Sequence, residues 1–204
     1  VQDVTGTSCE RKRKVTQSSG NVIYREGDKP FTDYLSEVGL ALGNLDASIS
    51  TITFVTNPLL LENVTIDGKG DYAFARSLYQ VDIATGSGTA ICRIPEGVTL
   101  SIGVLLRKDI EECAAQGMAE LAEQMEACPD KSYTYSTVLS VSCIGRYLAM
   151  LPDSGMHTRI LVSPLPQRMA MAGFYSHGEL GPFPLDDKTH INFAHNESLI
   201  LCAF

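Results

Sequence analysis

Three side chains give the sequence its nearest approach to a catalytic set: the Cys143 thiol, the Arg146 guanidinium three residues on, and the His177 imidazole. A guanidinium beside a thiol favours the thiolate, and an imidazole within reach would serve as its base. On that reading the chain is a cysteine-dependent hydrolase or transferase. The competing reading makes Cys143 a small residue that packs where a sheet meets a helix, and the residue pattern favours it, with no catalytic residue assigned. The stretch Gly173-Phe174-Tyr175-Ser176-His177-Gly178-Glu179-Leu180-Gly181-Pro182 is denser still in useful groups. Its glycines permit close backbone approach, its aromatics supply a wall, and Glu179 accepts hydrogen bonds from an amine. The same ten residues also fit a tight β-turn with its aromatics in the core.

Other chemistries find little support. No phosphate-binding GxxxxGK[ST] loop, GxGxxG turn, GxSxG elbow, HExxH pair or calcium loop is present. The four histidines do not share a ligand-like spacing, and His190 and His195 fall on opposite faces of a strand, so no metal site or cofactor is expected. Six cysteines are scattered without a CxxC pair, which points to a reducing, cytoplasmic setting; Cys92, Cys113 and Cys202 sit in apolar patterns and read as core. A net charge of −8 has the wrong sign for nucleic acid. The single basic run, Arg11 to Lys14, reads as a solvated strand end. No apolar run has the length of a membrane span.

The elements that must position these residues follow from periodicity. Val15 to Glu26 reads as a hairpin turning at Ser18-Ser19-Gly20-Asn21. A helix capped by Asp28 should carry Phe31, Tyr34, Leu35, Val38 and Leu42 before Gly43 stops it. Ile52, Phe54 and Val55 suggest a strand, and Tyr72–Ile83, Thr89–Ile94 and Val98–Leu105 an antiparallel meander. Lys108 to about Ala127 is the clearest helix, with Ile110, Cys113, Ala114, Gly117, Met118, Leu121 and Met125 on one face. Tyr133 to Cys143, uncharged and rich in β-branched and aromatic residues, reads as a central strand. A turn is expected near Gly181-Pro182 and a closing strand from Ile191 to Phe204. The class is α+β, a largely antiparallel or mixed sheet with helices packed against it.

Five segments together resemble one family. Lys29-Pro30 with Tyr34, Ile94-Pro95-Glu96-Gly97, Ser142-Cys143-Ile144-Gly145-Arg146, the Gly173–Pro182 stretch and His195-Asn196-Glu197-Ser198-Leu199 resemble, in order, segments of the FIST C-terminal domain. The resemblance divides the chain into residues 21–204, the FIST C-terminal-like domain, and residues 1–20, a strand or linker toward a FIST N-terminal half that the chain lacks. It implies a cytoplasmic sensory domain of a bacterial signal-transduction protein, with amino acids or similar small molecules as ligands. The implied partners are the FIST N-terminal half or a signalling output domain, and a homo-oligomer is compatible with it. The ligand-binding residues it implies are Cys143, Arg146, Tyr175, His177, Glu179 and Asn196, with Arg146 clamping a carboxylate and Glu179 holding an ammonium. A third reading remains beside sensor and enzyme: a ligand-free interaction module that docks through Phe174 and Tyr175.

Overall fold

The structure, a computed structural model, describes residues 2–3, 7–8, 11–40, 42, 53–66, 68–153, 155–185 and 189–204. The chain divides into two compact units. One comprises Val1–Val4, Leu106–Phe183 and His190–Phe204; the other comprises Thr5–Leu105 and Pro184–Thr189.

The second of these is built on an antiparallel sheet. In chain order its strands are β2 (Thr7–Ser8), β3 (Arg13–Ser19), β4 (Val22–Glu26), β5 (Lys29–Pro30), β6 (Leu59–Ile66), β7 (Lys69–Arg76), β8 (Leu78–Asp82), β9 (Ser87–Ala90) and β10 (Thr99–Val104). They lie in the order β7-β6-β10-β3-β4-β9-β8, with β2 beside β10 and β5 beside β4. The β3–β4 hairpin turns where expected, at Gly20 with φ +60°, and places Val15 and Ile23 in the core. The Ile94–Gly97 turn is tied to this hairpin: Ile94 N–H donates to Gly20, Gly97 N–H to Val15, and Ser18 Oγ to the Ile94 carbonyl. Those bonds are structural, and they account for the motif without a ligand.

Three expectations for this unit are corrected. Helix α1 (Phe31–Glu37) starts after Pro30, not Asp28, and ends before Leu42, because Gly39 at φ +93° leaves the helical region. Residue Gly43 lies outside the described residues. Thr53–Thr56 is a helical turn rather than a strand; Asn57 N–H and Nδ2 both donate to the Thr53 carbonyl and close it. Ile52 lies outside the described residues. The three β-rich runs are antiparallel but no simple meander, since Ser77 interrupts the first, Ile91–Ile94 leaves the sheet, and β10 pairs with β6 and β3 instead of β9.

The other unit holds the candidate residues. Its four-stranded sheet runs β1-β15-β11-β12, where β1 is Gln2–Asp3, β11 Thr137–Cys143, β12 Ala170–Ser176 and β15 Ser198–Ala203. Strand β11 is central, as its uncharged sequence predicts, although residues 133–136 stay outside it. β11 and β12 are parallel, and two helices, α3 (Ile144–Ala149) and α4 (Gly155–Val162), lie between them in the chain. Helix α2 (Arg107–Glu126) buries Ile110, Ala114, Gly117, Met118 and Leu121 of the predicted stripe, while Cys113 and Met125 at its edges are half-buried. Ala114 and Met118 meet Leu161 of α4 and Leu199 of β15, with Met171 and Leu201 around them. Burying each such large side chain contributes roughly 1.5–3 kcal/mol.

The chain's last part departs from expectation. Gly181 and Pro182 lie inside strand β13 (Glu179–Pro184), not in a turn. The closing strand is two: β14 (His190–His195), paired with β13, and β15, separated by a turn at Asn196-Glu197 where Glu197 takes φ +58°. Cys202 is exposed rather than core, because its side chain alternates to the open face of β15, while Cys92 and Cys113 are half-buried. The architecture is α+β.

Candidate functional site

Alternation along β11 sets the site. Val138, Ser140 and Ser142 share one face, and Cys143 falls on the other. The register sets Ser142 beside Tyr175 and Ser140 beside Gly173 on β12, so these four line the same patch of sheet. Gly173 is required there, because a Cβ would run into the Ser140 carbonyl. Helix α4 stands over the patch and leaves a cavity of about 200 Å³, lined by the two serines, Gly173, Tyr175, His157, Thr158, Leu161 and Val162, with Met171, Ala172 and Phe174 at its edge.

Two of the residues that line this cavity carry unsatisfied polar atoms. Ser142 Oγ and His157 Nε2 are both buried, and neither has a hydrogen-bond partner. Buried polar atoms without partners are uncommon, since each forfeits its hydration without replacement. Burial, and then the nearby Arg146 charge, push the His157 imidazole down to about 4, so it is neutral at physiological pH. Tyr175 lies against Tyr147 and His157, with ring centroids 5.1 and 6.2 Å apart, and hydrogen-bonds Thr158. Burial raises its phenol above the ordinary range.

Arg146 lies behind this cavity, fully buried on α3. Its Nη1 donates to the Glu197 carbonyl and the Cys113 sulfur, both at 3.3 Å, and Nη2 donates to the Ile110 carbonyl at 3.2 Å. Two carbonyls and a thiol thus hold it, not a carboxylate. Its Nε is buried without a partner.

The remaining candidates gather at the Asn196-Glu197 turn. Glu179 is buried, and its carboxylate accepts from the Ser176 and Ser198 hydroxyls, the latter at 2.6 Å. Glu197 seats its carboxylate on Gly145, where a Cβ would collide with it. Burial first, then the charges of Glu197 and Glu179, push the Cys143 thiol up to about 12. Asn196 is buried near Gly178 with both amide atoms unpartnered. His177 is exposed. Of the six residues the resemblance implies, then, Tyr175 lines the cavity, Arg146 backs it, Cys143, Glu179 and Asn196 form the turn cluster, and His177 stands on the surface.

Sequence reasoning missed Ser140, Ser142, His157 and Thr158. One signal was available: two hydroxyls spaced by two in Val138-Leu139-Ser140-Val141-Ser142, an otherwise apolar strand, must share a face. A second cavity of about 570 Å³ lies beyond the end of α2, among Met118, Met125, Tyr133, Tyr135, Leu165 and Met169. It is larger, but none of the buried unpartnered atoms belongs to it. No cluster of metal-binding side chains occurs among the described residues, and none of their helices is long and apolar enough to cross a membrane.

The cavity is let into the helix-covered face of a small mixed sheet, within an α+β architecture. The sequence profile of the FIST C domain matches residues 32–182, and the chain belongs to that family, whose members are sensory domains of signal transduction. No curated protein and no solved structure matches the chain.

Proposed function

We propose that this chain is the ligand-binding part of a cytoplasmic bacterial sensor and that a small polar molecule, amino acids being the first candidates, occupies the cavity between β11, β12 and α4. One observation carries the reading: Ser142 and His157, whose Oγ and Nε2 are buried and unpartnered, both line the same 200 Å³ cavity. At the ~30 Å³ that a water occupies, this space suits about seven non-hydrogen atoms. The ligand satisfies the two orphaned groups. It also bridges the β11–β12 sheet and α4, so binding shifts the equilibrium between arrangements of that helix that an output domain or the FIST N-terminal half reads. Tyr175 forms the wall, Arg146 holds the floor, and Cys143, Glu179 and Asn196 shape the neighbouring turn.

The cysteine-enzyme reading is the weaker one. A thiol held near 12 is ionised in roughly one molecule in 100,000 at pH 7, and the exposed His177 imidazole offers no sign of pairing with it. A thermal-shift screen of amino acids, small carboxylates and nucleotides tests the sensor reading, because a ligand of the folded state raises the melting temperature with concentration. A hit that persists in wild type and is lost in Ser142→Ala and His157→Phe supports it. A hit untouched by both substitutions places binding elsewhere and sinks it.

A further inference from the structure

We infer that strand β12 is a self-association edge: it pairs antiparallel with β12 of a second copy across a two-fold axis at Gly173, joining two four-stranded sheets into one. An edge strand presents unpaired backbone N–H and C=O groups. Folded chains blunt such an edge with charge, proline, a bulge or short length unless another strand adds there. The other strands that end the two larger sheets are blunted in these ways. β1 has two residues. β7 carries Lys69, Asp71 and Arg76 and meets β6 with shifts of register. β8 ends on Asp82 and is irregular against β9. β12 has seven residues, no charge, no proline and an unbroken register against β11. Among the described residues, Met171–Ser176 make no backbone hydrogen bond beyond that pairing.

The surface beside this edge is of the same kind. Met171 packs against the helical core and shares its face with Gly173 and Tyr175, so alternation turns Ala172 and Phe174 to the open face. There the register sets Ala172 beside Leu139 and Cys202, and Phe174 beside Val141 and Ile200. None of these six is charged or fully buried, and Phe174 is 58% exposed. The strand's own sequence selects the occupant. About Gly173, an antiparallel copy sets Ala172 opposite Phe174, Met171 opposite Tyr175 and Ala170 opposite Ser176. Every pair is uncharged, and the two pairs flanking Gly173 match a smaller side chain to an aromatic one on the same face. Arg168, the nearest charged residue before the strand, goes to opposite ends of the paired strands. A net charge of −8 makes most approaches of a second copy repulsive, whereas this edge and face carry no charge.

The test is sedimentation equilibrium of the purified chain from about 1 to 200 µM, because self-association by mass action depends on concentration. Wild type is compared with Ala172→Lys and Phe174→Lys, which put a charge at the pairing. Tyr79→Lys makes the same charge change on an exposed side chain of β8, in the other sheet. The expected result is a monomer–dimer equilibrium that closes at the dimer, weakened at least tenfold in either β12 variant and unchanged in Tyr79→Lys. Hydrogen exchange of the wild type should show the β12 amides gaining protection as concentration rises. A chain that stays monomeric throughout overturns the inference and leaves the edge to a strand from a different protein. A dimer indifferent to both β12 substitutions, or equally weakened by Tyr79→Lys, overturns the assignment to this edge. Growth beyond the dimer overturns the two-fold pairing, since an isologous contact is used up in one step. Circular dichroism of the variants separates loss of association from loss of fold.

Discussion

Two polar clusters are buried on opposite faces of the same strand end, and they differ in one respect. Around Glu179 both carboxylate oxygens have hydroxyl donors, and Glu197 fits against a glycine that leaves room for it. Around the cavity, Ser142 Oγ and His157 Nε2 are buried and have no partner. The first cluster is a closed network, in which every lost group strands another and stability suffers. The second holds polar atoms without partners, so its groups add little to stability. Family motifs fall mostly on the closed cluster: Cys143, Gly145, Glu179 and Glu197 belong to it or adjoin it, while Asn196 beside it keeps both amide atoms unpartnered. A motif residue therefore marks the frame of this domain more often than the lining of its cavity.

The largest effect separating frame from floor is expected at Arg146. Arg146→Met removes the donors to the Ile110 and Glu197 carbonyls and should cost about 3–4 kcal/mol, since bonds from a charged donor are worth roughly 1.5–3 kcal/mol each. Urea unfolding measures it. A loss below about 1 kcal/mol would mean that the guanidinium is not holding the two segments together. Glu179→Ala comes next. It leaves the Ser176 and Ser198 hydroxyls without their acceptor, for a loss of about 2–3 kcal/mol by the same measurement, whereas Glu179→Gln retains an acceptor and should lose less.

What the sequence could show of this division follows from distance along the chain. Helix α2 and strand β11 were legible because their burial patterns repeat within a few residues, as Ile110, Ala114, Met118 and Leu121 show. Where a competing local bond decided the outcome, the reading failed. Phe54 and Val55 favour a strand by type, yet the Asn57 amide folds them into a helical turn. Gly43 looked like a helix stop, but Gly39 adopts the left-handed conformation first. The closed cluster was partly legible, since its glycines and carboxylates sit in recognisable short segments. The cavity was not, because it exists only where β11 lies parallel to β12 and α4 covers both. Nothing near His157 in the sequence announces Ser142 as its neighbour.

A pH series sharpens the contrast at intermediate size. The folded unit holds His157 near 4, below the 6.5 of an unperturbed imidazole, so the unfolded chain takes up its proton first as pH falls. The stability that depends on a neutral His157 is complete above about pH 6.5 and is lost as pH falls toward 4; at pH 5 the loss is about 2 kcal/mol. Glu26 in the other unit runs the opposite way. Burial raises its carboxyl from 4.5 to about 8, so its contribution is full below pH 4.5 and declines as pH rises to 8. The informative quantity is therefore the difference between wild type and His157→Phe across pH 5 to 7.5. Chemical denaturation should show wild type losing ground on acidification by about 2 kcal/mol more than the variant. Equal slopes would mean that the imidazole is protonated in the fold.

The smallest expected effect tests the comparison most directly. Ser142 is as buried as Glu179, and in a finished network its removal would cost a kilocalorie or more. Its hydroxyl has no partner, so Ser142→Ala breaks no bond and relieves a buried oxygen of an unsatisfied position. The variant should match wild type within about 0.5 kcal/mol, or exceed it, in urea unfolding without ligand. Its binding of any ligand found by the thermal-shift screen should be strongly weakened. Stability unchanged and binding lost is the signature of a residue held in reserve for a ligand. A substantial loss of stability would instead show that Ser142 is already bonded inside the fold, and the two clusters would be of one kind.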